Sequence, residues 1–208
     1  MKNNIMKTAI IIQGGTDCEN IATLKKEWEG TDIIFSTWQG DPIYCYTDEN
    51  DMVIYNTRPE IIGVGNLNLQ RVSTLNGFLK AKELGYDRVV KWRYDLIPFN
   101  SKGLLELFKE DCINFYGFHD HNAGYIIDYF MEGDVDDMIN LFTFSNFDVP
   151  HAEVAFTNRM FELGFDSKAN FVCKQLEKNN VDVYWKKYNF WLSQNASQDQ
   201  YKTYTFKK

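Results

Sequence analysis

The sequence is poor in the residues that staple or metallate small domains. Four cysteines, Cys18, Cys45, Cys112 and Cys173, are scattered without paired spacing. That excludes a disulfide framework and a paired-cysteine zinc site, and it fits free thiols in a reducing compartment. Positive charge is also short: 22 Lys and Arg against 29 Asp and Glu leave a net charge of −7. A general nucleic-acid binder needs a basic surface, so no nucleic-acid partner is expected. A nucleotide ligand stays open, because one Arg or metal ion can neutralise a diphosphate locally. No long apolar run exists; the stretch Thr8 to Ile12 is too short for a signal-peptide core or a membrane span. The expectation is a soluble, cytoplasmic protein without an integral membrane segment. Neither a Gly-Lys-Ser/Thr phosphate loop nor a Gly-x-Ser-x-Gly elbow occurs, which removes the common NTPase and α/β-hydrolase readings. Internal repeats and Gly/Ser-rich linkers are missing too. One domain over residues 1–192 is expected, followed by a polar, loose tail at 193–208.

What is present suits one sizeable core. Of the 208 residues, 44% are hydrophobic, and 16 Phe and 12 Tyr make the aromatic share high. Most of these rings belong in a core; some could line a groove for planar or sugar rings. Thr8–Gln13, Asp32–Trp38, Met52–Tyr55 and Arg88–Trp92 read as strands. Helical patterns at Glu19–Trp28 and Asn66–Leu84 separate them. Such alternation implies βαβ units and a mostly parallel sheet flanked by helices, an α/β fold. Farther on, helices are predicted over Ser101–Phe108 (capped by Ser101), Asp134–Phe142, His151–Leu163 and Lys168–Lys178. Strands are predicted at Ile113–Phe118, Tyr125–Phe130 and Val181–Trp185.

The stretch from Asn66 to Asp95 carries the most information. Leu69, Val72, Leu75 and Leu79 give the helix its apolar spacing, with Gly85 placed to end it. Asn66, Gln70, Ser73 and Gly77 share the other face. A polar stripe that ends in glycine invites close approach of another group. The next strand ends in Arg93-Tyr94-Asp95. Ligands of open α/β sheets bind outside the carboxyl ends of strands, and a carboxylate there is well placed for a metal ion that bridges phosphates.

Several segments together resemble the WavE-type lipopolysaccharide-synthesis proteins. They are Ile12-Gln13-Gly14-Gly15, Phe35-Ser36-Thr37-Trp38, Asn66 with Gln70, Ser73, Thr74 and Gly77, and Lys91-Trp92-Arg93-Tyr94-Asp95. They follow the family's order through roughly the first half of the chain, and Asp128-Tyr129-Phe130-Met131-Glu132-Gly133 continues it. That family resembles glycosyltransferases of the GT-A type, Rossmann-like single-domain enzymes that use nucleotide-diphosphate sugars.

The resemblance implies a hexosyltransferase-like enzyme with a nucleotide-diphosphate sugar donor and a glycan or lipid-linked glycan acceptor. The loop Gln13-Gly14-Gly15-Thr16 would hold base and ribose, and Asn66, Gln70 and Ser73 would contact the donor. Asp95 would take the place of the metal-binding Asp of an Asp-x-Asp motif, for Mn²⁺ or Mg²⁺. The first position of that motif is Arg93 instead, and its guanidinium could grip a phosphate. Metal dependence is open on that account. His151-Ala152-Glu153, followed by Arg159, resembles the helix start of inverting enzymes. Glu153 would then be the general base, kept ionised by its helix N-terminus. His119-Asp120-His121 could present two imidazoles to one ion, yet lacks further ligands for a closed zinc site. A polar loop near the acceptor is the better reading, with Asp120 a rival base. No histidine follows His151, so the late metal-binding histidine of such folds is missing. The alternative is a non-catalytic nucleotide-sugar or glycan-binding module on the same fold. A nucleotidyltransferase would open with a basic Gly-rich loop, which is not found.

Overall fold

The computed structural model describes residues 6–15, 18–45, 47, 51–119, 125–144 and 151–192. Within these, the elements run β1 (Thr8–Gln13), α1 (Cys18–Glu27), β2 (Asp32–Trp38), β3 (Met52–Asn56), α2 (Leu67–Glu83), β4 (Arg88–Arg93) and β5 (Leu96–Phe99). Then come α3 (Ser101–Glu106), β6 (Ile113–His119), β7 (Tyr125–Asp134), α4 (Val135–Phe142) and α5 (Ala152–Glu162). The chain closes with β8 (Ala169–Phe171), α6 (Cys173–Leu176), β9 (Asp182–Trp185) and β10 (Phe190–Trp191).

The described residues form a seven-stranded sheet in the order β3-β2-β1-β4-β7-β6-β8. Strands β3, β2, β1 and β4 are mutually parallel, whereas β7 runs antiparallel to both β4 and β6. Central β1 and β4 are buried on both faces; β1 accordingly carries the apolar run Ala9-Ile10-Ile11-Ile12, whereas β4 buries Arg88 and Lys91 along with Val89, Val90 and Trp92. Ala9, Ile11 and Val89 face a layer built on α2, α4 and α5. Ile10, Ile12, Val90 and Trp92 face α1 and α3. Helices thus cover both faces, and the mostly parallel α/β architecture read from the sequence holds.

Several local expectations are corrected. The stripe through Leu69 and Leu79 is not the core face of α2, since Leu79 is exposed and Ser73, Thr74, Gly77 and Phe78 are buried. Ser73 and Gly77 of the polar stripe pack on the sheet instead. A methyl group at Gly77 would sit 2.2 Å from Ile11 Cγ2, so glycine is what allows α2 to lie against β1. Beside it, the Ser36 hydroxyl donates to the Ser73 carbonyl at 2.6 Å, and Asn76 Nδ2 donates to Asn56 Oδ1 at 2.7 Å. The group that closely approaches Ser73 and Gly77 is therefore the protein's own sheet. Asn100, not Ser101, caps α3, its side chain accepting from the Gly103 amide. The predicted helix over Lys168–Lys178 is broken into a 3₁₀ turn, strand β8 and the single turn α6. Strand β7 extends four residues past the predicted Phe130. The short strand β5 was not predicted; it joins β9 and β10 in a second, antiparallel sheet.

Candidate functional site

The order β3-β2-β1-β4 reverses direction at β1. From β1 the chain crosses to β2 on the α1 side, and from β3 it returns to β4 through α2 on the other. Such a switch point leaves a crevice at the strands' carboxyl ends. The last residues of the two strands, Gln13 and Arg93, are partners across the ladder. A cavity of about 200 Å³ opens there. Gln13, Gly14, Gly15, Arg93, Tyr94 and Asp95 form its floor, and Asn66, Leu69 and Gln70 from the start of α2 form one wall. Trp38 and Lys187 complete it.

Each lining residue is set by local structure. Gly14 adopts φ of +115°, and a Cβ on it would meet the Tyr94 ring at 2.8 Å. Only glycine accommodates both that backbone conformation and that contact. Asn66 sits at φ 61° as the N-cap of α2, yet its side chain makes no capping bond. Asn tolerates the left-handed region better than most residues, and its amide borders the cavity. Gln70 Oε1 is buried without a hydrogen-bond partner, an acceptor left over at the cavity wall. Ser73, by contrast, is fully buried behind the wall, donating to Gln13 Oε1 at 3.2 Å and to its own helix. It orients Gln13 and is not among the lining residues.

Asp95 lies at the mouth, with both oxygens engaged. Arg93 Nε donates to Oδ1 at 3.0 Å and Arg93 Nη2 to Oδ2 at 2.8 Å. Trp185 Nε1 donates to Oδ2 at 2.9 Å. The second sheet makes this possible: β5 begins directly after Asp95, and its pairing with β9 sets Trp185 opposite Leu96. Arg93 also stacks over the Trp185 ring at 4.9 Å. Burial works against the charged form of Asp95, but the hydrogen bond and charge of Arg93, then the Trp185 indole, hold its carboxyl below the ordinary range.

Behind Arg93 lies a second buried carboxylate, that of the first residue of the Asp128–Gly133 segment, to which sequence reasoning assigns no role. Asp128, on β7, faces Lys91 of β4: Lys91 Nζ donates to Asp128 Oδ2 at 3.3 Å and also to its carbonyl oxygen. Both side chains are sealed from solvent. Asp128 Oδ1 has no hydrogen-bond partner and lies 3.8 Å from Arg93 Nη1. A lysine inside an otherwise apolar, doubly buried strand was the signal available in the sequence, because such a charge requires a carboxylate across the sheet.

Glu153 opens α5, whose first turn packs near Gly65: a Cβ at Gly65 would lie 3.8 Å from the Ala152 amide nitrogen. It stands in the field of Asp128, Lys91 and His151, and is not a lining residue of the cavity. Burial first, then the Asp128 charge, pushes its carboxyl above the ordinary value. The helix N-terminus expected to keep it ionised is outweighed. His151 is exposed at the helix N-cap. Thr16 and Asp120 lie outside the described residues, as does His121.

The expected Mn²⁺ or Mg²⁺ can be tested against this donor set. A hard divalent ion needs several oxygen ligands. Asp95, its intended anchor, already has both oxygens bonded to Arg93 and Trp185. It is the only carboxylate among the described lining residues. No group of three or more His, Cys, Asp or Glu among the described residues could hold an ion. The described residues do not fit the metal. Among them, too, no helix is long and apolar enough to cross a membrane.

No family model matches the sequence, and no curated protein matches it. The WavE resemblance therefore stands on the quoted residues alone. Among solved structures, the chain is similar to a protein from Desulfovibrio desulfuricans G20 provisionally assigned as a nucleotide-diphospho-sugar transferase. The two are 13% identical, the match covers 79% of each chain, and the TM-score is 0.50. At that identity the likeness is one of fold, and the fold it gives is the GT-A-like arrangement of a nucleotide-sugar transferase.

Proposed function

We propose that the protein is a glycosyltransferase that takes a sugar from a nucleotide diphosphate to a hydroxyl of a glycan or lipid-linked glycan, as its WavE-type motifs suggest. One observation carries the reading: a polar cavity at the carboxyl ends of β1 and β4, at the switch point of a nucleotide-sugar transferase fold. Gln13, Gly14 and Gly15 suit a nucleoside, since backbone can approach closely at the glycines and the amide can read a ring edge. Asn66 and Gln70 supply amides for the donor's hydroxyls. Arg93 stands where negative charge builds as the diphosphate leaves.

In the step itself the acceptor oxygen bonds to the anomeric carbon while the bond from that carbon to the diphosphate oxygen breaks. The acceptor proton goes to Glu153, and the nucleoside diphosphate departs. A carboxyl raised by burial and Asp128 is a stronger proton acceptor once ionised, which suits a general base. Attack from the face opposite the leaving group would invert the anomeric centre. Asp120 is the rival base. The reaction would take place in the cytoplasm.

A non-catalytic nucleotide-sugar or glycan-binding module is the second reading. It is favoured by Glu153 lying outside the described cavity lining. A panel of nucleotide sugars, scored by thermal shift and by release of nucleoside diphosphate, separates the two. Stabilisation with turnover supports the transferase, and stabilisation alone supports the module. A panel with neither response removes both.

A further inference from the structure

The cavity's charges run against those of the molecule. The chain is net negative by 7, yet the described lining carries two cations, Arg93 and Lys187, and one carboxylate. That carboxylate is consumed internally. Its Oδ1 takes Arg93 Nε, and its Oδ2 takes both Arg93 Nη2 and Trp185 Nε1. A metal ion recruited by Asp95 would compete with two charge-assisted bonds and an indole bond. It would also enter next to a fixed guanidinium.

From these contacts we infer that the site binds the donor's pyrophosphate without a metal ion, with Arg93 and Lys187 as the cations that neutralise it. This rests on the transferase reading of the same cavity. Asp95 is then a positioning residue. It and Trp185 hold the guanidinium in one orientation, so that little side-chain freedom is lost when a phosphate arrives. Two of Arg93's donors go to Asp95, out of the five a guanidinium carries. The remaining donors sit on Nη1 and Nη2, a pair of nitrogens whose spacing matches two phosphate oxygens. Behind it, Asp128 Oδ1 at 3.8 Å supports the positive charge without a direct hydrogen bond. Lys187 enters from the turn after β9, the strand that also carries Trp185. One short sheet thus brings the second cation and the indole that steadies the first.

The test is binding, measured calorimetrically on the full chain with UDP, GDP, ADP and inorganic pyrophosphate, each in excess EDTA and in millimolar Mn²⁺ or Mg²⁺. The expected result is that at least one nucleoside diphosphate binds in EDTA, with an affinity within about twofold of that in metal. Arg93→Gln is expected to weaken it by roughly 10–100-fold, the worth of a charge-assisted contact. Lys187→Ala, on an exposed side chain, is expected to weaken it roughly 2–5-fold. Mn²⁺ titrated alone should give no heat that Asp95→Asn abolishes. Binding that appears only with metal overturns the inference and leaves the transferase reading standing. Unchanged affinity in both Arg93→Gln and Lys187→Ala overturns it as well. If no nucleoside diphosphate binds under either condition, both the inference and the transferase reading fall.

Discussion

Strand β4 carries a buried ion pair at each end, and the two are built differently. At its amino end Arg88 meets Glu132 of β7 with Nε to Oε1 at 2.5 Å and Nη2 to Oε2 at 2.9 Å. Asn114 Nδ2 adds a third donor at 2.5 Å, and Asn170 Nδ2 in turn donates to Asn114 Oδ1 at 2.7 Å. Arg88 Nη1 also donates to the Glu110 carbonyl, and Nη2 shares its other proton between the carbonyls of Lys109 and Cys112. Burial opposes the charge on Arg88, but the hydrogen bonds and charge of Glu132 hold it above its ordinary value. At the carboxyl end Lys91 and Asp128 are just as buried, yet Asp128 Oδ1 is orphaned and Lys91 is pulled below its ordinary value by burial. Glu132 and Asp128 are 2% and 1% exposed, so burial does not distinguish them; saturation does. A closed network is a structural clamp, whereas an incomplete one beside a cavity leaves charge that a ligand or a proton can use.

If that division is right, substitutions at the two ends should damage different properties. The largest effect belongs to Glu153, which stands in the field of the incomplete network. Glu153→Gln is expected to lower turnover by about 10²–10⁴-fold, the usual worth of a general base. Stability should move the other way. With a folded pKa above its unfolded one, the folded state holds more protons than the unfolded state between those two values. Stability therefore falls as pH rises through that window, and the ionised carboxyl is a burden above it. The glutamine variant should melt no lower than wild type at neutral pH. Its melting temperature should also lose that slope with pH. Wild-type turnover should show an acid limb above the ordinary glutamate range, and a limb unchanged in an Asp120→Asn variant would set the rival base aside.

Arg88→Met is the matching experiment at the closed end. Removing one partner leaves Glu132 buried with only Asn114 as a donor, at a cost of about 3–5 kcal/mol in urea unfolding. Adding Glu132→Leu should recover much of that loss. Nucleotide affinity of the folded fraction should stay at the wild-type level, because the pair lies at the end of β4 away from the cavity. A loss of affinity without a loss of stability would break the comparison.

How much of this could be read in the sequence depends on whether the signal was local. The apolar run of β1, the Val89-Val90 pair of β4 and Gly85 at the end of α2 act through nearest neighbours and were legible. The Arg93-Tyr94-Asp95 turn at a strand end was legible for the same reason. Long-range pairing was not. Trp185 reaches Asp95 across 90 residues, and Ser36 reaches Ser73 across 37. No spacing rule reports either contact. The Ser73 end of the α2 stripe misled because polar residues that bond to a sheet look, in one dimension, like residues that face solvent or ligand. Lys91 was visible but unexplained, since its partner Asp128 comes from another strand. The helix over Lys168–Lys178 failed because edge pairing of Ala169–Phe171 with β6 overrides a helical pattern.

Gly77→Ala probes the packing that sets the cavity wall. The added methyl would sit 2.2 Å from Ile11 Cγ2, closer than any real contact. Helix α2 must shift or Ile11 must change rotamer, at about 1–3 kcal/mol of stability. Because α2 carries Asn66, Leu69 and Gln70, donor affinity should fall along with the melting temperature. Coupled losses of this kind are what neither network alone is expected to give.

The smallest expected effect is the most discriminating. Trp185→Phe keeps an aromatic face under Arg93 and removes one hydrogen bond to Asp95 Oδ2. A single bond to a carboxylate that keeps its Arg93 partner is worth about 1.5 kcal/mol, the low end of the charge-assisted range. Asp95 has a folded pKa below its unfolded one, so its stabilisation is present above the unfolded value and lost as pH falls through the folded value. Without the indole that folded pKa rises, and acid unfolding should begin at a higher pH than in wild type. Under metal-free pyrophosphate binding, the same variant should bind nucleoside diphosphate more weakly in EDTA, because Arg93 is less firmly held. If Asp95 were instead a metal ligand, freeing its Oδ2 from the indole would strengthen Mn²⁺-dependent binding. The direction of that change in affinity decides what the carboxylate at the mouth of the sheet is for.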